Sequence, residues 1–99
     1  MKETSKYEEP ARLLKALAHP TRLCIVAGLI NDSCNVNKMK ECLELPQSTV
    51  SQQLAILRAQ GIVDGERHGT EVFYKVANEQ VKEIVKVLLG EDVINFKQV

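Results

Sequence analysis

The sequence predicts a mainly α-helical chain carrying one small β-hairpin, in the order α-α-α-α-β-β-α. Apolar residues recur with the helical period of about 3.6 along most of the chain, and only after Gly61 does the period fall to two, as in a strand. The length sets the scale. Its 99 residues, 44% apolar and 26% charged, make a single domain over 1–99, with short flexible termini expected at about 1–7 and 91–99. A chain this small buries roughly 60–65% of its unfolded surface, so association with a second copy is a natural supplement.

Each element has its own signals. Pro10 suits a first helical turn, and Leu13, Leu14, Leu17 and Ala18 then form a stripe that stops at His19-Pro20. The second helix opens at Pro20-Thr21, runs through Leu23, Val26, Ala27 and Ile30 on one face, and ends at Asn31-Asp32-Ser33. A short third helix covers about Val36 to Leu43. Pro46 breaks the pattern and starts the fourth, about Gln47 to Ala59, which Gly61 ends. Ile62-Val63 begins one strand and Val72, Tyr74 and Val76 alternate along the next, with Arg67-His68-Gly69-Thr70 as their connection. Asp64-Gly65 is a competing turn, but it leaves a first strand too short to pair. Asn78 is the expected N-cap of the last helix, whose Val81, Ile84, Val85 and Leu88 share a face up to Gly90.

Two short helices joined tightly and followed by a hairpin have the layout of a helix-turn-helix with a β-wing. On a helical wheel Val50, Leu54 and Leu57 lie within about 40° and face inward. Ser48, Thr49, Ser51 and Gln52 point outward or sideways, with Gln47 and Gln53 at the margins. That outer face suits a major groove: Gln pairs bidentately with adenine, Ser and Thr reach base edges or phosphates, and no acidic group lies between Gln47 and Gln60. Lys38, Lys40 and Arg58 flank it, and Arg67 and His68 lie near the wing tip. A solvated helix without a role is the plain alternative on this segment alone, and the hairpin directly after it weighs against that.

Lys+Arg and Asp+Glu both number 13, so the net charge is zero and phosphate binding must come from local patches and helix ends. Neutrality also keeps a rival reading open, a winged-helix module that regulates a protein partner without binding DNA. No run approaches a membrane span and the first residues lack the apolar stretch of a secretory signal, so a cytoplasmic protein with no membrane partner is expected. The three cysteines, Cys24, Cys34 and Cys42, are too few and odd in number for a disulfide framework. Cys24 lies beside the apolar face of the second helix and reads as a small core residue. Cys34 and Cys42 flank the third helix at ~10 Å or more, with Lys38 and Lys40 close enough to favour a thiolate. His19 and His68 are a helix-start and a turn residue. No catalytic constellation or Gly-rich phosphate loop is present, so an enzyme is not expected.

His19-Pro20-Thr21-Arg22-Leu23, the block from Leu45-Pro46-Gln47 through Gln53-Leu54, Leu57, Gly61-Ile62-Val63, Arg67-His68-Gly69 and Phe73-Tyr74 together resemble the ArsR/SmtB family of bacterial winged-helix repressors, over roughly residues 10–90. The resemblance implies a homodimer joined through the first and last helices, double-stranded operator DNA as partner, and release by an inducer or redox signal. It implies base or phosphate contact by Gln47, Ser48, Thr49, Ser51, Gln52 and Gln53, and backbone contact by Arg67, His68 and Thr70. The apolar stripes agree on the dimer: Leu13, Leu14 and Leu17 in the first helix and Val81, Ile84, Val85 and Leu88 in the last exceed what one small core uses. A two-fold protein in turn calls for a near-palindromic operator with half-sites ~34–36 Å apart or a multiple. The family's metal positions fall here on Asn35, Asn37 and Lys40, and on Asn78, Gln80, Glu91 and Ile94, so no metal or other cofactor is expected. Some relatives pair a cysteine of the second helix with one of the last, which here has none. Cys24, Cys34 and Cys42 remain possible thiol sensors.

Overall fold

A computed structural model of the chain describes residues 4–90 and Phe96. In chain order its elements are α1 (Ser5–Leu17), α2 (Pro20–Leu29), β1 (Cys34–Asn35), α3 (Val36–Leu43), α4 (Gln47–Ala59), β2 (Val63–His68), β3 (Glu71–Val76) and α5 (Glu79–Leu89). The four-helix, hairpin, helix order is as expected, with one strand added.

Helix α1 begins more than a turn before Pro10, which therefore sits inside it rather than in its first turn. Proline there forfeits one backbone hydrogen bond, a loss made tolerable by its exposed position. Ser5, Lys6 and Tyr7 are helical; residues 1–3 lie outside the described residues. Helix α2 opens where His19 caps it, the imidazole Nδ1 accepting from the backbone N–H groups of Thr21 at 3.2 Å and Arg22 at 3.5 Å.

From Ile25 to Leu29 every residue of α2 is buried, as is its C-cap Ile30. The single face expected for this helix is therefore corrected: α2 is the central rod, touching α1, α4, α5 and β3. Gly28 is required there, because a Cβ at that position would overlap the ring of Phe96. Phe96 is only 2% exposed. It corrects the expected flexible tail at that one position, and the rest of 91–99 lies outside the described residues.

The unforeseen strand is β1, which pairs antiparallel with β3 through Cys34↔Tyr74 and Asn35↔Phe73 and gives a sheet of order β1-β3-β2. Asn35 then turns the chain into α3 by accepting from the Lys38 N–H at 2.8 Å. The turn into α4 passes through Glu44 in the left-handed region, φ 55°, before Leu45 and Pro46. In the hairpin His68 pairs with Glu71, so the turn tightens to Gly69-Thr70 and Arg67-His68 close β2. Gly69 supplies the positive φ of 67° that this turn needs. Asp64-Gly65 lies inside β2, where a Cβ on Gly65 would come within 3.0 Å of the Tyr74 ring. The glycine serves its cross-strand partner and makes no turn.

Candidate nucleic-acid interface

Helix α4 is seated by Val50, Leu54 and Leu57, at 0%, 2% and 0% exposure, so its register about its own axis is fixed. Ser48, Ser51, Gln52, Ala55 and Ala59 lie on the opposite, exposed side, and Thr49 is half-buried. Apart from Arg58 at its edge, this face is uncharged. At its start Pro46 contributes no side-chain cap, so the first N–H groups of α4 are left to solvent or to an anion.

The wing stands beside that face. One open cleft of about 420 Å³ is lined by Ser51, Leu54, Ala55, Arg58 and Ala59 of α4 and by Tyr74 of β3. A second, about 230 Å³, brings Gln47 together with Thr70 of the wing turn and with Asn35, Val36 and Asn37 at the start of α3. Thus Gln47 and the wing residue Thr70 open onto one groove and Ser51 onto the other, and Tyr74 lines both. Arg67, His68 and Thr70 are all exposed. His68 is braced on the hairpin, its ring edge-to-face with Phe73 at 5.5 Å and its Nε2 3.6 Å from Glu66 Oε1. The tip end of the wing is tied to the start of α3 where Asn35 Nδ2 donates to Glu71 Oε1 at 3.2 Å.

Gln53 is placed differently. It is half-buried, and its Oε1 accepts from Arg22 Nη1 at 3.0 Å. Arg58, expected at the flank, lines this surface, and sequence reasoning missed Ala55 and Tyr74 as members of it. The spacing of Ser48, Ser51/Gln52 and Ala55 already marks one helix face, whereas Tyr74 joins it only through the hairpin register.

The dimer residues also divide. Leu13, Leu17, Val81 and Val85 are 6%, 6%, 1% and 0% exposed within the single chain, so they belong to its own core, a correction to their placement on an outer face. Leu14 at 50% and Leu88 at 64% remain open, joined by Tyr7 and Val87, which the sequence reading omitted. Between α1 and α5 runs a shallow groove of about 170 Å³ lined by Pro10, Leu13, Leu14, Leu17, Gln80, Val81 and Ile84.

Burial disfavours the thiolate at Cys24 and Cys34. Burial pushes the Cys34 thiol up from its ordinary value, Cys42 adds to the rise, and Lys38 opposes it only in part. The expectation that the lysines favour a thiolate is overturned at Cys34, where desolvation outweighs a partly solvated ammonium. Cys24 is likewise raised by burial and then by Cys42. Among the described residues no three His, Cys, Asp or Glu side chains gather as a metal site. Glu91 and Ile94 lie outside them. Among those residues, too, no helix is long and apolar enough to cross a membrane.

Known proteins carry a similar sequence and architecture. Residues 19–64 match the family described as "Bacterial regulatory protein, arsR family". The chain is 44% identical over 85 residues to the HTH-type transcriptional repressor SmtB of Mycobacterium tuberculosis, covering 83% of this chain and 63% of that one, so it spans less than two thirds of that relative. It is 41% identical over 87 residues to the transcriptional repressor PagR of Bacillus anthracis, covering 87% of each. The crystal structure of PagR superposes with a TM-score of 0.79 over 87% of this chain and 99% of that one. A homodimeric winged helix-turn-helix DNA-binding domain from Mycobacterium bovis, 28% identical, superposes at 0.78 over 88% of this chain and 81% of that one. With the α3–α4 pair, the wing beside it and these relatives in agreement, the chain belongs to the arsR family of winged-helix, DNA-binding transcriptional regulators.

Proposed function

We propose that two copies of this chain form a cytoplasmic homodimeric repressor that binds a near-palindromic operator and leaves it when a signal is sensed. Helix α4 of each subunit enters the major groove, where Gln52 reads base edges and Gln47, Ser48, Thr49 and Ser51 contact edges or phosphates. Arg67, His68 and Thr70 meet the backbone beside it, and Arg58 adds a cation at the cleft between helix and wing. The observation that carries this reading is the shared surface: Gln47 opens onto the cleft that Thr70 lines, and Ser51 onto the one that Tyr74 lines. A regulator with net charge zero needs such convergence, because no overall field draws it to DNA. The dimer rests on the exposed Leu14, Val87 and Leu88 of α1 and α5. The homodimeric state of the M. bovis domain supports the same assembly.

The test is fluorescence anisotropy with a duplex from upstream of the protein's own gene, titrated at several salt concentrations. Tight binding that weakens steeply with salt is expected, since each neutralised phosphate releases counterions. Gln52→Ala should lose about 1–3 kcal/mol per site on that duplex and little on random DNA. Equal loss on both removes Gln52 from the base-reading set. Absence of binding at low salt sinks the repressor and leaves the protein-regulating module.

A further inference from the structure

We infer that Arg12 and Arg22 tether α4 to α1, which bears part of the dimer face, and thereby set which half-site spacing the dimer accepts. This rests on the reading of α4 as the DNA-facing helix of a dimer.

Arg22 stands in the first turn of α2, and its fork spans two other helices. Its Nε donates to the backbone oxygen of Ala16, near the end of α1, at 2.6 Å, and its Nη1 donates to Gln53 Oε1 in the middle of α4 at 3.0 Å. Arg12 reaches α4 alone, from the middle of α1. Its Nη1 donates to the side-chain oxygen of Gln60 at 2.5 Å and to the backbone oxygen of Gln60 at 3.1 Å, while Nη2 lies 3.5 Å from Glu9 Oε1. Gln60 is the C-cap of α4.

Gln53 and Gln60 are seven residues apart, about two turns and ~10 Å along the axis, so both lie on one side of α4. That side is turned toward α1 and α2, away from Ser48, Gln52, Ala55 and Ala59. A helix held at two points on one line resists both rotation about its axis and swinging of its far end. Guanidinium is suited to the task, since its planar fork fixes two acceptors at once where an ammonium fixes none in direction. The apolar seat of Val50, Leu54 and Leu57 fixes the register of α4, and the arginines add polar restraints along a second side of it, at its middle and its far end.

In a two-fold dimer the angle of each α4 to α1 becomes the distance and twist between the two reading heads. A base pair added between half-sites turns one of them by roughly 34–36° relative to the other. Firm tethers make that change costly, and loose ones let the heads follow.

The probe is the duplex that wild-type protein selects from a random-sequence pool, together with versions whose half-sites are moved apart or together by one base pair. Wild-type protein should bind the moved versions about tenfold more weakly or worse. Gln53→Ala and Arg12→Met should bind them within about threefold of the selected duplex, with an unchanged salt slope, because neither removes a phosphate contact. Gln53→Glu keeps an acceptor for Arg22, and a charged one, so it should discriminate as wild type does. That rescue separates a positioning role from a general loss of stability. Discrimination as sharp as wild type in both Gln53→Ala and Arg12→Met overturns the tether. So does loss of all DNA binding in Gln53→Glu, which means that Gln53 faces the phosphates. If wild-type protein selects no sequence, the DNA-facing reading of α4 has failed before any variant is made, and the tether falls with it.

Discussion

Burial, more than neighbouring charge, governs the thiols of Cys24 and Cys34: removing a thiolate from water costs more than a lysine at the protein surface returns. Both values are raised, so the folded chain prefers the protonated form more strongly than the unfolded chain does. The linked stability is present in full below the ordinary thiol value of 9.0 and is lost as pH rises through the raised folded values. Urea midpoints measured across that alkaline window should fall less steeply for Cys24→Ala and Cys34→Ala than for wild type, and iodoacetamide should alkylate the folded protein at pH ~8 more slowly than a free cysteine. Fast alkylation of both thiols contradicts this account. The lysines near Cys34 were legible in the sequence. Its burial was not, because the strand that holds it is two residues long and is defined only by its partner β3. Gln53 teaches the same lesson: a wheel places it at the margin of a face, and only the approach of Arg22 from another helix decides its role.

Elements whose signal is local were legible in detail. Asn78 caps α5 as expected, its Oδ1 accepting from the Val81 N–H at 3.0 Å, and Pro46 and Gln60 bound the fourth helix where period and proline placed it. Elements whose definition comes from elsewhere in the chain were not. Helix α2 is apolar almost all round, so periodicity gave one face where tertiary packing uses every side. Its Gly28 is the clearest case, since nothing local requires glycine in the middle of a helix, where it costs about 1 kcal/mol relative to alanine. The reason is Phe96, far along the chain, whose ring occupies the space of the missing Cβ. Gly28→Ala should therefore destabilise the fold by about 1–3 kcal/mol in urea unfolding despite its better helix propensity. In a Phe96→Ala background the same change should cost much less or turn stabilising, as a double-mutant cycle reads directly. Equal cost in both backgrounds means that the ring does not hold this position.

At the scale of the whole molecule the distribution of apolar surface decides what the chain does with its neighbours. The core uses Leu13, Leu17, Val81 and Val85 of the two expected dimer stripes, and leaves Leu14 on α1 and Val87 and Leu88 on α5 in water. Exposing large aliphatic side chains on two helices that flank one groove costs solubility unless a second copy covers them. A two-fold interface also supplies what a neutral regulator lacks, because two weak half-site contacts held at millimolar effective concentration multiply into one strong one. Leu14→Glu combined with Leu88→Glu tests this without touching the core, for both side chains are at least half exposed. The variant should remain helical by circular dichroism and sediment as a monomer where wild type is a dimer. Its operator affinity should fall by about 100-fold or more while its weak binding to an isolated half-site persists. Val85→Glu is the contrasting control: at 0% exposure its carboxylate has no route to water, so it should unfold the chain rather than split the dimer. A double variant that still sediments as a dimer moves the interface off α1 and α5, and with it the origin of the half-site spacing.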